Sequence, residues 1–424
     1  MLKRINVSVN DEDFFLKLFW IIIFFSFVFW FMALLNNPQG HQLDIFHIRM
    51  TDFWGDATVV THFVCERNPY QNSGTNYPPL PYLIYYVFAH VSKVPSGGYS
   101  HYYYQPIWTV LFVIYLFIIL LFLCLVCAKK VNSKLGFDAV MIGLSICLSG
   151  PMLFAFERGN TIILSVLTAA IFIFYHDSNF QWQKEIAIFC LAVSANIKLT
   201  PAVFCFLLIC NRDWKALARF CVYGALLFIL PFFFFDGGLQ NLFLMITNVN
   251  SFAQTHIPYH VYHGTGLSSG FCQMASAIVG LDYEISFSTY YKLRFISQVL
   301  SLMWLLGAFY FQEKWKKVLN LTMILLIFPP VSHEYNILFL IPASVLFLKS
   351  FKDETKLSYS KYSIDRITIF LSFIMIYFVF RCNVSDFFNQ RISVWLLSVV
   401  CSFYSLKIFF EVKHLHLFEL VKKI

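Results

Sequence analysis

The sequence predicts an all-α polytopic membrane protein in which residues 1–424 form a single transmembrane domain. Hydrophobic residues make up 59% of the 424, charged residues only 13%, and the mean hydropathy is +0.67. Soluble domains, by comparison, are about half apolar and about a quarter charged. The apolar runs repeatedly reach the roughly 17 to 25 residues that cross a bilayer as a helix. These observations exclude a soluble globular enzyme.

Hydropathy predicts about twelve transmembrane helices. The first apolar run, 16–35, is longer than a signal-peptide core and has no small-residue cleavage pattern after it, so we expect a retained signal-anchor. The short, tyrosine-rich segment 79–90 is predicted to lie at the membrane surface rather than to cross. The twelve predicted spans are 16–35, 106–128, 136–156, 161–175, 185–197, 201–210, 216–235, 295–311, 318–328, 336–348, 367–380 and 392–410.

The distribution of basic residues predicts the orientation. Lysine and arginine concentrate in connections that stay in the cytoplasm. With both termini cytoplasmic, most of the 31 basic residues fall on that side, and the two large outer segments are 37–105 and 236–294. We therefore expect a multi-pass protein of the bacterial inner membrane with an extracytoplasmic active site. This placement also explains the net charge of +8 without a nucleic-acid partner.

The segment 51–80 is a polar and aromatic stretch between strongly apolar segments. Its two acids, Asp52 and Asp56, are four residues apart, so they would share one face of a helix. Pro69 and Pro78 bias the residues before them away from helix, which predicts short helices separated by a loop. We interpret this segment as the reaction site; the alternative is an ordinary solvated loop that carries acids.

Charged side chains also lie at helix boundaries on the predicted outer side. A charge at such a boundary is costly enough to be a functional candidate. One boundary lies at Lys198, where a helix is predicted to start, because Thr200 suits its N-cap and Pro201 suits its first turn. The Lys198 cation beside the free N–H groups of this helix would form an anion site. For each boundary the alternative is a snorkelling side chain or a polar cap. At a second boundary the candidates are Glu157, Arg158 and Asn160, and at a third they are His333, Glu334 and Tyr335.

The outer segment 236–294 is rich in aromatic residues and histidine and ends at Arg294. His260 and His263 have a spacing compatible with metal ligands. Histidine and aromatic side chains equally suit stacking on a sugar and hydrogen bonding to it, which is the reading we favour. We therefore expect no metal and no other cofactor.

Five short motifs lie in the first half of the chain: Asp52-Phe53 with Ala57, Asn68-Pro69-Tyr70, Tyr77-Pro78-Pro79-Leu80, Gly159-Asn160, and Ile197-Lys198-Leu199-Thr200-Pro201. In this order they resemble the glycosyltransferase family 87 proteins, which are polyprenol-phosphate-sugar-dependent transferases of the GT-C membrane fold. The resemblance implies a GT-C-like bundle of about 12 transmembrane helices with short interfacial helices in the first outer loop, and it implies that Asp52 is the catalytic base. The sequence departs from the family at Gly55-Asp56, where an aromatic residue is common, and at Glu157-Arg158-Gly159-Asn160, where Gly-Gln is usual.

The expected function is inverting transfer of a single hexose, of the mannosyl or glucosyl type, from a polyprenyl-phosphate sugar to a lipid-linked glycan or surface glycoconjugate such as O-antigen or a cell-envelope glycolipid. We expect Lys198, Arg158 and Arg294 to bind the donor phosphate. The alternatives are a transporter or flippase of lipid-linked sugars, and a ligase or polymerase of surface polysaccharide. The expected substrate-binding residues are Asp56, Tyr77, Glu157, Asn160, His260, His263, His333, Glu334 and Tyr335.

Overall fold

The computed structural model describes residues 14–36, 54–65, 67–71, 75, 77–92, 106–271, 275, 287–330, 332–353, 363–379 and 388–421, and within these ranges every regular element is a helix. Asp52 lies outside the described residues. The α-helices are α1 (Phe14–Asn36), α2 (Gly55–Cys65), α3 (Pro79–Val91), α4 (Pro106–Val131), α5 (Phe137–Cys147), α6 (Gly150–Arg158), α7 (Ile162–Tyr175), α8 (Gln181–Ile197), α9 (Phe206–Cys210), α10 (Trp214–Ile229), α11 (Gln240–His263), α12 (Phe287–Tyr310), α13 (Lys314–Ile327), α14 (Ile341–Asp353), α15 (Ile364–Tyr377) and α16 (Phe388–Val421). Short 3-10 helices are Pro69–Gln71, Thr200–Cys205, Leu230–Phe234 and Glu334–Leu340.

The predicted count of twelve spans is not confirmed. Among the described residues, six helical segments are long and apolar enough to cross a membrane, or seven if α5 and α6, which meet at 49°, form one span. The 14-residue helix α7 rises only about 21 Å, less than the roughly 30 Å of bilayer hydrocarbon. Hydropathy counts such short apolar helices as spans. The chain is nevertheless a multi-pass membrane protein. The six segments are Phe14–Ala33, Pro106–Val131, Trp214–Phe234, Ser288–Tyr310, Glu334–Phe351 and Asn389–Glu411.

Burial separates central helices from peripheral ones. On α7, side chains around the whole circumference are inaccessible, including Ile162, Val166 and Phe172 at 0% exposure, which is the pattern of a helix enclosed on all sides. On α4, by contrast, Trp108 is buried while Phe117 is 64% exposed. A large apolar side chain that is exposed in a membrane protein faces lipid. Thus α7 lies in the interior of the bundle and α4 forms part of its surface.

Small polar side chains join the central helices. The Ser165 hydroxyl of α7 donates to the carbonyl of Ser194 in α8 at 3.0 Å, and the Ser194 hydroxyl donates to the carbonyl of Ser165 at 2.8 Å. Because lipid cannot satisfy these groups, such reciprocal bonds between small residues fix the packing distance of two membrane helices.

The bundle has a lysine-rich end, formed by the connections at 129–136, 176–184, 211–215 and 311–317. Here Lys130, at the end of α4, donates to the carbonyl of Phe174 at 3.0 Å, and Lys314 pairs with Asp177 at 2.6 Å. A second pair joins Lys184 to Asp213. Helices α7 and α8 run between this end and the opposite one, where the turn between α6 and α7 lies. The charged candidates of that turn are therefore separated from the lysines by the length of the bundle.

The segment 37–105, which is predicted to lie on the outer side, contains the two short helices predicted for it, α2 and α3. The segment 236–294 has the same predicted side and is expected to be mainly a connection, but it is helical over Gln240–His263 and again from Phe287, where α12 begins. The two segments touch, because the Asn248 side chain donates to the Tyr70 carbonyl and to the Thr75 hydroxyl, both at 2.9 Å. The described parts of these two segments therefore lie at the same end of the bundle.

Candidate active site

The turn between α6 and α7 organises the site. Gly159 ends α6 in the left-handed conformation, at φ 62°. The Gly159 N–H donates to the carbonyl of Phe156, and the Asn160 N–H donates to the carbonyl of Ala155 at 3.1 Å, which together make a Schellman motif. The Tyr85 hydroxyl of α3 donates to the Gly159 carbonyl at 2.7 Å. The turn is thus fixed both within its own chain segment and against α3.

This turn fixes the orientation of the Asn160 side chain. Its amide oxygen accepts from the Ile162 N–H at 2.9 Å, which satisfies a free donor at the start of α7. The amide nitrogen then faces the site and donates to Asp56 Oδ2 at 2.7 Å and to the Tyr77 hydroxyl at 3.2 Å. Asn160 is 1% exposed. Because one end of the amide is held by the backbone, the other is a preorganised donor.

Asp56 lies in the first turn of α2 and is held from two sides. Arg158 donates to its Oδ1 from Nε at 3.1 Å and from a terminal nitrogen at 2.5 Å, while Asn160 donates to Oδ2. The Asp56 and Arg158 side chains are only 17% and 25% exposed. A charge-assisted pair of this kind is stronger than a neutral hydrogen bond. Both of its oxygens are therefore already engaged.

The start of α2 is positioned by Trp54. This residue has a φ of 53°, and for a bulky side chain that conformation costs about 1 to 2 kcal/mol. It is held by the bond from its N–H to the Glu157 carbonyl at 2.7 Å and by edge contacts with Trp108 and Phe112. Strained residues that their surroundings hold in place are common beside functional sites.

Lys198 lies between two tyrosine rings. Its Nζ is 4.5 Å from the ring centroid of Tyr77 and 5.1 Å from that of Tyr335, both within the range of a cation–π contact. Burial lowers the pKa of this lysine to about 8, although the nearby Asp56 charge opposes the shift. Burial also raises the pKa of Tyr77, and the Asp56 charge adds to that rise. The Tyr77 hydroxyl is therefore neutral at physiological pH.

The helix start predicted beside Lys198 is present but differs in form. Pro201 occupies its first positions as expected, whereas Leu199, not Thr200, occupies the cap position, and no side chain caps the end. The prediction of a Thr200 cap is thus wrong. The segment Thr200–Cys205 is a 3-10 helix, whose short length gives only a small dipole. The local positive charge therefore comes from Lys198 itself.

The segment after the Pro329-Pro330 pair reaches the same site. Tyr335 contacts Lys198, and the His333 ring stacks on Tyr335 with their centroids 5.0 Å apart. Glu334 points to another partner, since its Oε1 accepts from Arg391 at 2.8 Å. The Arg391 side chain is 1% exposed and that of Glu334 10%. This buried pair joins the Tyr335 segment to the start of α16.

The structure brings six of the thirteen sequence candidates together in one cluster. Glu157 is 1% exposed and contributes its backbone carbonyl to Trp54. Arg294 lies on α12 one turn from Tyr290, and no described contact joins it to the other candidates. His260 and His263 belong to α11, but their side chains lie outside the described part of the chain. The candidates that form one cluster are Asp56, Tyr77, Arg158, Asn160, Lys198 and Tyr335.

Sequence reasoning missed two residues that support the cluster. Arg391 sits next to a predicted span start, and its partner Glu334 lies 57 positions away, so only the three-dimensional fold reveals the pair. Tyr85 is one of several tyrosines on α3 and carries no local signal. An arginine at the edge of an apolar span is nevertheless a detectable sign that a buried partner exists.

Replacement of Gly159 should show how tightly the turn is packed. A Cβ at this position would lie 2.8 Å from the Ala57 side chain and 3.0 Å from the Phe112 ring. We expect Gly159→Ala to lower the free energy of unfolding by about 2 to 4 kcal/mol, measured by thermal unfolding in detergent. Gly238→Ala is the matched control, because Gly238 has a similar φ of 53° with no atom near its Cβ position. Equal losses in both variants would contradict tight packing at the turn.

Comparison with known proteins identifies the family. The model of glycosyltransferase family 87 matches residues 75–329, which is more than half of the 424 residues. The matched range includes Tyr77, Arg158, Asn160 and Lys198. A comparison with curated proteins gives no match. The family match and the apolar helices agree with the resemblance found in the motifs, and the chain therefore belongs to glycosyltransferase family 87, a family of membrane glycosyltransferases.

Proposed function

We propose that the chain is an inverting glycosyltransferase that moves one sugar from a polyprenyl-phosphate donor to a hydroxyl of a lipid-linked glycan or surface glycoconjugate, at the outer face of the membrane. The observation that carries this proposal is Lys198, held between Tyr77 and Tyr335 beside the Asp56–Arg158 pair. Family membership supports sugar transfer rather than transport. The cluster also lies at one end of the bundle, whereas transporters bind substrate near the midplane.

Lys198 is the residue best suited to the donor phosphate. One carboxylate and two cations, Arg158 and Lys198, leave the cluster with net positive charge, and the Arg158 charge is largely compensated by Asp56. When the anomeric C–O bond breaks, the leaving oxygen becomes part of a phosphate that needs charge stabilisation rather than a proton. A buried ammonium supplies this stabilisation more strongly than one in water. In this proposal the reaction needs no metal.

The remaining groups suit recognition of the sugar. The neutral Tyr77 hydroxyl accepts from Asn160, so its own proton is available to an oxygen of the ligand. The rings of Tyr335 and His333 present an aromatic surface next to Lys198. Sugar rings bind by stacking on aromatic faces and by hydrogen bonds to fixed polar groups. Donor phosphate and sugar would thus contact adjacent parts of one cluster.

For the base we propose Asp52, on the strength of the family resemblance. The acceptor hydroxyl would attack the anomeric carbon and give its proton to the carboxylate, while polyprenyl phosphate leaves from the opposite face of the sugar. Asp56 is less suited to this role, because Arg158 and Asn160 already occupy both of its oxygens. In this proposal Asp56 positions Arg158 and Asn160 instead.

Incubation of the purified protein with individual polyprenyl-phosphate sugars and candidate acceptors tests the function. We expect release of polyprenyl phosphate and addition of one sugar to the acceptor, with inverted anomeric configuration. A polymeric product would favour the polymerase alternative. Movement of the intact donor across a vesicle membrane, without release of polyprenyl phosphate, would overturn the proposal in favour of a flippase.

The pH dependence of kcat/KM should report the charge of Lys198. Because its pKa is lowered to about 8, the ammonium form is present below this pH and is lost as the pH rises through it. We expect kcat/KM for the donor to fall above pH 8. Bound phosphate would stabilise the ammonium form of Lys198, so the decrease in kcat should begin at a higher pH than the decrease in kcat/KM. Lys198→Arg should remove this alkaline decrease, since arginine stays protonated; an unchanged profile would contradict the assignment.

Cysteine labelling tests the proposed orientation. Gln71 is exposed in the 3-10 helix Pro69–Gln71 near the site, and Asn179 is exposed at the lysine-rich end. Because lysine-rich connections stay in the cytoplasm, an impermeant thiol reagent added to intact cells should label Gln71→Cys but not Asn179→Cys. Both variants are made in a background without the 11 native cysteines. The reverse labelling pattern would place the site in the cytoplasm.

A further inference from the structure

A cavity of about 680 Å³ lies at the lysine-rich end of the bundle, away from the candidate active site. Its walls come from the end of α12, the starts of α13 and α15, and the middle of α16. Tyr404 in its wall is 13 residues along α16 from Arg391, which corresponds to about 20 Å of helix. A cavity of this size is typical of small-ligand sites, and the candidate active site does not use it.

Among the described residues, three positive and three negative side chains line the cavity. The cations are Lys316, Arg366 and Lys407, and the anions are Glu313, Asp365 and Glu411. Four of the six have partners within the protein: Lys316 pairs with Glu313 at 2.7 Å, Arg366 donates to the Ser350 hydroxyl at 2.6 Å, and Asp365 accepts from the Tyr404 hydroxyl.

Lys407 and Glu411 are exposed, and the described contacts give neither of them a partner. They lie four residues apart on α16, so they present one positive and one negative group on the same helix face. A ligand that carries both an anion and a cation would complement this pair.

The surface beside the cavity is apolar. On α16, Phe403 and Phe410 are 59% and 63% exposed, and on α12, Leu302 is 59% exposed. These faces belong to two of the segments long enough to cross the membrane, so acyl chains would cover them. A polar cavity at the end of a lipid-facing apolar surface has the arrangement expected for a phospholipid, with its headgroup in the cavity and its chains on the helices.

The aromatic residues of the cavity distinguish between kinds of cationic headgroup. A quaternary ammonium binds on open aromatic faces, but Lys316 Nζ already lies 4.8 Å from the Tyr404 ring centroid and 5.4 Å from that of Trp315. Glu411 is the one carboxylate among the described lining residues that has no partner in the protein, and a carboxylate suits an ammonium that donates hydrogen bonds. We propose that this cavity binds the phosphoethanolamine headgroup of a membrane phospholipid, with the phosphate near Lys407 and the ammonium near Glu411.

Lipid-dependent stability of the purified full-length protein tests this proposal. Phosphatidylethanolamine, phosphatidylglycerol and phosphatidylcholine with identical acyl chains are added to the protein in detergent, and the thermal unfolding midpoint is followed against lipid concentration. We expect phosphatidylethanolamine to raise the midpoint at a concentration about tenfold lower than the other two lipids. Mass spectra of the intact protein should show phosphatidylethanolamine as a retained adduct.

Variants locate the site. The double variant Lys407→Gln, Glu411→Gln changes only exposed side chains, and we expect it to need about tenfold more phosphatidylethanolamine for the same shift. Lys215→Gln removes an exposed lysine at the same end of the bundle outside the cavity and should respond as the wild type does. The proposal is overturned if phosphatidylglycerol is at least as effective, if all three lipids act equally, if no lipid stabilises, or if the double variant responds like the wild type.

Discussion

Replacing Lys198 with alanine is expected to lower kcat/KM for a polyprenyl-phosphate sugar by about 10² to 10³-fold, which is the usual effect of removing one group that stabilises developing negative charge. The physical reason is that Lys198 is the cation of the cluster that no carboxylate of the cluster contacts, whereas Arg158 is bonded to Asp56. The measurement is the rate of polyprenyl phosphate release against donor concentration.

Two further variants separate charge from packing. Lys198→Arg keeps the positive charge but replaces a compact ammonium by a planar group, so we expect partial recovery of the rate. Lys130→Ala is the matched control, because Lys130 also lies near two aromatic rings, 5.6 Å from that of Phe174 and 5.8 Å from that of Tyr175, but at the lysine-rich end. If Lys130→Ala impaired catalysis as much as Lys198→Ala, the effect would reflect general destabilisation rather than a phosphate contact.

Much of the cluster could be predicted from the sequence because of where its charges lie. Arg158 is the last residue of α6 and Lys198 directly follows α8. A charge at the end of an apolar helix is too costly to be retained without a function or a partner. The distribution of lysine and arginine among the connections then predicted that both positions lie on the outer side of the membrane. The structure adds that the turn at Gly159 brings Arg158 to Asp56, and that the side chains packed against this turn, Ala57 and Phe112, are far away in sequence.

The number of spans and the supporting pair could not be predicted in the same way. Hydropathy measures apolar content, so α7, which is enclosed by other helices, gives the same signal as α4, which has an exposed apolar face. The Glu334–Arg391 bond joins positions 57 residues apart, and no local pattern indicates such a partner. Both failures concern tertiary contacts, whereas the grouping of Arg158 and Lys198 at one end of the bundle is predicted from local charge.

Replacing Asp52 with asparagine is expected to reduce kcat by at least about 100-fold, the lower end of what general-base catalysis contributes. Asparagine preserves the shape of the side chain and its capacity for hydrogen bonds but removes the basic oxygen. Donor binding, measured separately by titration with a polyprenyl-phosphate sugar, should therefore change little. A purely structural role for Asp52 would lower stability or donor affinity and leave the rate of the chemical step nearly unchanged.

Asp56→Asn is the internal control for this experiment, because both acids belong to the same short segment. Its carboxylate accepts from Arg158 and Asn160, and an asparagine oxygen can still accept one of these bonds, so we expect a loss of about tenfold that appears mainly in KM. If Asp56→Asn were inactive and Asp52→Asn active, Asp56 would have to be the base despite its partners. If both variants were active, neither acid would take part in proton transfer, and the segment 51–80 would be a connecting loop. A large loss of kcat confined to Asp52→Asn is the outcome that separates the base from the residue that holds Arg158 in place.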